Sequence, residues 1–358
     1  MPTKFGEGSI NETYYSRRDI IKMIGATPMI AAAVASRPTT ATAQATPDVR
    51  PQLCMHSQPL QWTNMEEAVS IAAEAGFKSM VWNVRSGGHI PPESVERDLP
   101  KAVDLAHKAG LSTPMIDTSL LDAKSNRVEA YLDTMRSVGI RLYKCSNLGR
   151  YDYSKDIFAQ LEALKPQIES LIELNQKYGT TAVYHTECGP AQVGAAVWDL
   201  WLALKDYDPR LVGFNFDLAH ILVKSGTGWW DGIRLAHKHM LSVAVHDFKW
   251  VKRSDPVRGM RRTDPSPDWP WTAEYVAPGQ GMVNFKSAFE YLKSINFSGP
   301  IYIYFTYWVD VPGLTKSLDM WGGPVGQFQM PMTKSQYLSY LHRDRGFFES
   351  LMKSAGLL

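Results

Sequence analysis

The sequence predicts a single-domain α/β fold, a (β/α)8 TIM barrel, from three observations. Short apolar, β-rich runs alternate with amphipathic helical stretches from residue 50 onward, and eight such units can be counted; strict alternation implies a parallel sheet. The punctuation repeats: Ala75-Gly76, Ala109-Gly110, Val138-Gly139 and Tyr178-Gly179 each stand between a helix and the next strand, where glycine accepts the left-handed conformation that ends a helix. No G-x-G-x-x-G follows the first strand, which removes the main support for an open dinucleotide-binding sheet. Eight units in about 300 residues fit a closed barrel better.

The elements follow in order. Strand one is assigned to Leu53–His56, followed by a helix over Met65–Ala75 for which Thr63-Asn64-Met65-Glu66 offers a capping box. Strand two covers Ser79–Asn83 with its helix at Leu99–Ala109, and strand three Thr113–Asp117 with its helix at Arg127–Val138. Strand four covers Leu142–Ser146 with a long helix at Phe158–Tyr178, and strand five Ala182–Glu187 with its helix at Val193–Asp206. Strand six, Gly213–Asp217, precedes Trp229–His239; strand seven, Ser242–Asp247, precedes Phe285–Ile295; strand eight is Ile301–Tyr307, and a helix at Ser335–Lys353 closes the chain. The segment between Trp250 and Met282, with five prolines, is expected to form a lid or rim, or to be completed by a neighbour in a homo-oligomer.

Ahead of the barrel at 46–358, residues 1–45 read as a twin-arginine signal peptide. Ser16-Arg17-Arg18-Asp19-Ile20-Ile21-Lys22 has the S-R-R-x pattern followed by two apolar residues and lysine. A mildly apolar stretch runs from Ile20 to Ala35, and both Ala41-Thr42-Ala43 and Ala43-Gln44-Ala45 fit an A-x-A cleavage site. An amphipathic N-terminal helix is the competing explanation, and the stretch lacks the alternation of one. The signal implies passage through the twin-arginine translocase to a periplasmic or otherwise extracytoplasmic location. Because that route carries folded proteins, it also hints at a metal loaded beforehand.

Charge and composition exclude other classes. The chain has 38 Lys+Arg against 36 Asp+Glu, and without residues 1–45 it has 33 of each sign, so nothing attracts it to nucleic acid. No apolar run reaches the roughly 18–20 residues that a membrane-spanning helix needs. The three cysteines, Cys54, Cys145 and Cys188, are too scattered for a disulfide framework or a zinc knuckle. Either one pair forms or all stay buried.

In a barrel of this kind the chemistry sits where strands end and loops begin. Strand five ends Tyr184-His185-Thr186-Glu187, and its two-residue period points His185 and Glu187 the same way. Strand six ends in Asp217, three residues before His220; carboxylate and imidazole together suit zinc, manganese or iron, although Asp217 could simply cap the next helix. On strand seven, alternation places Ala244, His246 and Phe248 on one face and Asp247 with Lys249 on the other, unless the strand has ended. Strand two continues through Trp82 into a Gly-Gly loop carrying Arg85 and His89, and strand four supplies Lys144, which could equally be a snorkelling surface residue. Trp82, Tyr143, Trp250, Trp269, Trp271, Tyr304, Tyr307 and Trp308 crowd the expected rim, consistent with stacking on a sugar ring.

These residues together resemble the xylose isomerase-like barrel superfamily, and within it the exported, twin-arginine-bearing sugar phosphate isomerase/epimerase branch. The stretches that carry the likeness are Arg85 to His89, Asp98 to Val103, Tyr184 to Gly189, Gly213 to His220, Asp247 to Trp250, Gly279 to Phe285 and Gly299-Pro300. The resemblance implies a divalent cation (Mn, Mg, Zn or Co) at the barrel mouth, stabilising an enediolate while a side chain moves a proton beside a carbonyl. By motif, His185, Asp217 and His220 are carried over as metal ligands.

The sequence departs from the family pattern at several places. Glu187 stands where the branch has a second histidine, Ala244 and His246 where the wider pattern has histidine and lysine, Thr306 where relatives carry glutamate, Tyr304 where they often carry histidine, and Gln280 where they have glutamate. Either Glu187 and His246 supply what Thr306 and Ala244 lost, His246 joining the ligands, or the metal site is weakened.

The leading expectation is a metal-dependent isomerase or epimerase acting on a sugar or keto-sugar. Glu187 is assigned as base, Lys249 or His246 polarises the oxygen, and Trp82, Arg85, His89, Lys144, Trp250 and Tyr304 hold substrate. A lyase acting on keto-glycosides shares the first step. An exported sugar-binding barrel with a degenerate metal site is the alternative from another class.

Overall fold

Eight parallel strands close on themselves because each is buried on both faces, and only a cylinder lined by helices leaves such a sheet no edge. The computed structural model describes residues 50–358 apart from 195, 256–260, 263–269 and 315–323, with backbone alone for 261–262. The twin-arginine segment and Trp269 therefore lie outside the described residues. The barrel strands are β1 (Leu53–His56), β2 (Ser79–Val84), β3 (Met115–Thr118), β4 (Leu142–Lys144), β5 (Thr181–His185), β6 (Val212–Asp217) and β7 (Met240–Val245). Three strands outside the barrel follow, β8 (Asp247–Lys252), β9 (Arg261–Arg262) and β10 (Trp271–Val276), and β11 (Ile301–Ile303) closes the ring between β7 and β1. β2 and β6 are buried at every position.

The helices packed outside are α1 (Met65–Glu74), α2 (Val95–Lys108), α3 (Val128–Ser137), α4 (Ile157–Glu162), α5 (Lys165–Tyr178), α6 (Trp198–Leu204), α7 (Leu218–Ser225), α8 (Trp229–Ala236), α9 (Phe285–Ser294) and α10 (Lys334–Ser354). Gly76, Gly110, Gly139 and Gly179 all take positive φ, between 69° and 85°, as helix-ending glycines do.

Several expected boundaries move for identifiable reasons. The cap of α1 is Asn64, which accepts from the Glu67 N–H at 2.9 Å, while the Thr63 hydroxyl donates to the Leu60 carbonyl instead. The long fourth helix breaks in two because Pro166 sits in the first turn of α5 and cannot donate a backbone hydrogen bond to a preceding turn. The helix expected from Val193 begins only at Trp198, since Val197 takes φ 66°.

The largest difference lies after β7. The backbone leaves the barrel at His246 and continues as β8, which pairs antiparallel with β10, Phe248 opposite Tyr275 and Trp250 opposite Ala273. The expected rim segment is thus a hairpin in its described part. All three cysteines are buried thiols, and none is in a disulfide.

Candidate metal centre at the barrel mouth

β5, α7 and the residue after β7 bring three imidazoles around the carboxylate that ends β6. Asp217 ends β6 fully buried. Its Oδ1 caps α7 by accepting from the His220 N–H at 2.9 Å and also accepts from His246 Nε2 at 2.8 Å. Its Oδ2 is buried without a hydrogen-bond partner among the described residues, 3.8 Å from His185 Nε2 and 3.8 Å from His220 Nδ1. Burial alone would raise this carboxyl, but the His220 and His246 rings foremost outweigh it and hold it well below the usual range.

The rings are fixed from behind. His185 Nδ1 lies 2.7 Å from Asn215 Oδ1, which also accepts from the Tyr302 hydroxyl at 2.6 Å, while Asn215 Nδ2 donates to Ser242 Oγ. A carbonyl oxygen only accepts, so His185 carries its proton on Nδ1 and turns the Nε2 lone pair toward Asp217. Burial, with the Lys144 ammonium adding to it, pushes His185 down to about 3. His220 Nδ1 donates to the Thr186 carbonyl at 3.0 Å, and His246 Nδ1 meets the Thr306 hydroxyl at 2.9 Å. Tyr275 of β10 stacks on the His246 ring at 4.6 Å, so the hairpin roofs this side of the mouth. Glu187, just past the end of β5, places Oε1 3.6 Å from His220 Nδ1.

A second polar centre stands on the β1, β3 and β4 walls. Asp117 is fully buried and accepts from Lys144 Nζ at 2.8 Å and His56 Nε2 at 3.1 Å, with Arg85 at 3.7 Å. His56 Nδ1 accepts from the Gln58 N–H, which leaves the proton on Nε2. Burial would raise the Asp117 carboxyl, but Lys144 and Arg85 outweigh it and hold it well below the usual range. Tyr304 lies between the two centres, its ring 5.2 Å from His56 and 5.6 Å from His246.

The residues singled out in the sequence therefore divide. His185, Glu187, Asp217, His220 and His246 come together, and Lys144, Arg85 and Tyr304 line the same lumen. Trp82 and His89 pair edge to face at 5.6 Å, both buried; burial pushes His89 down to about 4. Lys249 and Trp250 do not join them, because the barrel strand ends at Val245 and both ride on the hairpin. Lys249 is 47% exposed and faces Glu274 at 4.0 Å, and Trp250 packs on Phe248.

Asp247 has a structural task, accepting four backbone N–H bonds from Phe248, Gly279, Gly281 and Val283. A Cβ at Gly281 would fall 2.2 Å from the Asp247 carboxylate, so the G-x-G stretch serves this grip. His56, Asp117 and Asn215 were missed in the sequence, although His56 and Asp117 obey the strand-end rule that found Asp217. A cavity of about 600 Å³ at the opposite end, lined by Arg141, Thr181 and Lys238 among others, contains none of these groups; conserved chemistry in barrels belongs to the other face.

The donor set fits a divalent cation. His185, Asp217 and His220 place ligand atoms within 4.8 Å of one another, all buried, and two imidazoles with a carboxylate suit zinc, cobalt or manganese.

Comparison with known proteins agrees on the architecture. A family model described as xylose isomerase-like TIM barrel matches residues 69–320. An inosose dehydratase of Lactiplantibacillus plantarum is 28% identical over 131 residues, 37% of this chain and 42% of that protein, so the match spans less than half of the relative. D-psicose 3-epimerase of Clostridium cellulolyticum H10, solved with D-tagatose, superposes with TM-score 0.57 at 12% identity, covering 84% of this chain and 99% of the other. The IOLI protein, solved with a bound zinc atom, gives 0.58 at 12% identity over 85% of this chain and 99% of its own. Identities this low speak to the fold alone.

Proposed function

The chain belongs to the xylose isomerase-like TIM barrel family, and we propose that it is a divalent-metal-dependent enzyme moving a proton beside the carbonyl of a sugar or keto-sugar. The observation that carries this is Asp217 Oδ2, a buried carboxylate oxygen left without a hydrogen-bond partner between two imidazoles. Leaving such an atom unmatched is costly, and a cation would satisfy it.

His185, Asp217 and His220 would hold the ion, the two imidazoles through their unprotonated Nε2 atoms, and Asn215 and Thr186 orient the rings. A divalent cation there supplies Lewis-acid stabilisation of negative charge developing on a carbonyl oxygen. Glu187 removes the proton from the neighbouring carbon; returning it to the adjacent carbon completes isomerisation, whereas epimerisation needs a proton delivered to the opposite face by a second group. Lys144, buried where Lys249 is not, donates a hydrogen bond to the substrate oxygen and takes over the polarising task. Asp117, with His56, keeps that ammonium in place. His246, fixed between Asp217 and Thr306, positions the carboxylate. Tyr304 offers the ring face between the two centres. β-Elimination from a keto-glycoside starts with the same proton removal, and the inosose dehydratase match motivates keeping it as a second outcome. We further propose export by the twin-arginine route, from the residue pattern Ser16 to Lys22.

Metal content and solvent deuterium exchange beside the carbonyl of D-tagatose, D-fructose and a 3-keto-glucoside test the proposal. One equivalent of manganese, lost on Asp217→Asn, and exchange lost on Glu187→Gln are expected. Full exchange by Glu187→Gln refutes its role, and tight sugar binding without metal supports a non-catalytic binder.

A further inference from the structure

Beside the first set of donors lies another that no part of the proposed reaction uses as a ligand group. Glu187, Cys188 and His220 also place ligand atoms within 4.8 Å of one another, all three buried. Cys188 follows directly on the β5 end, and its Sγ stands 3.7 Å from the Tyr275 hydroxyl, under the hairpin that roofs the mouth. The two sets share His220 and differ in charge. His185, Asp217 and His220 offer one anionic donor, so a doubly charged ion there keeps net positive charge and remains a Lewis acid. Glu187 and Cys188 offer a carboxylate and, once the thiol proton is released to solvent, a thiolate. That pair neutralises the ion in full, and sulfur selects zinc or cobalt over magnesium or manganese.

We propose that Glu187, Cys188 and His220 form a second seat for a thiophilic divalent cation, exclusive with the first seat because both need His220. With its Nδ1 proton given to the Thr186 carbonyl, this imidazole has one lone pair and serves one ion at a time. An ion in the second seat takes Glu187 as ligand and so removes it as a base. The site then distinguishes metals by softness: hard ions go to the Asp217 seat, whereas zinc is drawn to the Cys188 seat and inhibits. This inference rests on the mouth being a metal centre, and it assigns that centre a metal preference and a means of inhibition.

Cobalt reports both seats without any turnover. The full-length chain is loaded with Co²⁺, and its visible d–d bands and near-ultraviolet thiolate-to-cobalt charge-transfer band are recorded. The wild type is expected to show the charge-transfer band. Cys188→Ser is expected to lose it while keeping d–d bands from the first seat, and Asp217→Asn is expected to keep it. Cys54 and Cys145 are fully buried thiols whose protons burial holds on, so Cys54→Ser serves as a control that leaves the band intact.

Bound cobalt without a charge-transfer band in the wild type overturns the second seat, as does a band unchanged in Cys188→Ser. If Asp217→Asn keeps full cobalt and Cys188→Ser loses all of it, the first seat falls and the second stands. Should Cys188→Ser fail to fold, alkylation of the native wild type decides. Zinc, and not magnesium, is expected to protect the Cys188-containing peptide from iodoacetamide by tenfold or more; equal labelling overturns the inference.

Discussion

Replacing Asp247 with alanine is expected to lower stability by roughly 3–5 kcal/mol, although the residue touches neither proposed metal seat. Asp247 Oδ1 accepts from the N–H groups of Phe248 and Val283 at 2.9 and 3.1 Å, and Oδ2 from those of Gly279 and Gly281 at 3.0 and 2.9 Å. A hydrogen bond to a charged group is worth about 1.5–3 kcal/mol, and a buried donor left unmatched costs about 1–3 kcal/mol. Three of the four bonds are only partly buried, so water takes over some donors and the four do not add in full. For a domain of roughly 310 residues the loss amounts to about 5–8 °C in Tm. Denaturant melts of Asp247→Ala, Gly281→Ala and the double variant measure it. A Cβ at Gly281 would sit 2.2 Å from the same carboxylate, so the two changes break one grip from opposite sides and their costs must be strongly non-additive. A loss under about 1 kcal/mol for Asp247→Ala, or full additivity in the double variant, refutes the account of the hairpin anchor.

Two further predictions concern groups nearer the periphery and behind the metal. Asp344 of α10 is pushed up to about 6 by burial, which outweighs the Tyr307 hydrogen bond and the Arg343 charge that pull it down. Because the folded-state value exceeds the unfolded one near 3.9, the folded protein holds this proton more tightly. The contribution is fully present below about pH 4 and lost as pH rises through about 6, amounting to about 3 kcal/mol in order of magnitude. Asp344→Asn should flatten that part of the stability profile, and an unchanged pH dependence would refute it. Asn215→Ala removes the acceptor that fixes the His185 tautomer and is expected to weaken manganese binding by about 10–100-fold; calorimetric titration giving an unchanged Kd would show that the ring is held by other contacts.

The barrel was legible because its strands are apolar on both faces and its helices end at glycine, two signals that do not depend on distant residues. The strands whose last residue bears a charge or an imidazole, Asp217 above all, were placed within a residue or two. The hairpin was not legible, because alternation continues through Ala244, His246 and Phe248 as though one strand ran on. What ends β7 is the grip of Asp247, through three backbone bonds, on a loop more than 30 residues away. Lys249, expected to polarise the substrate oxygen, lies on the hairpin instead. Asp117 and His56 went unnoticed because their meaning depends on a contact across 61 residues, with nothing in Ile116-Asp117-Thr118 or Met55-His56-Ser57 to mark either.

Four of the departures from the family pattern, Ala244, Tyr304, His246 and Thr306, lie against one another, which bears on whether the centre is relocated or eroded. Ala244 and Tyr302 are register partners on β7 and β11, and with Tyr304 they pack in one lumen cluster. A methyl on one strand makes room for the phenol on the next, and that phenol holds Asn215 behind His185. Likewise Thr306 and His246 are bonded to each other, and His246 grips Asp217. Random loss of ligands would leave unmatched polar groups at these positions, since a discarded partner strands the one that remains. Here Ala244, Tyr304, Thr306 and His246 each have a counterpart, and among the described residues Asp217 Oδ2 is a buried atom lacking one. Matched neighbours around a buried oxygen where a cation would sit are what relocation of the ligand set requires, and random loss does not account for them.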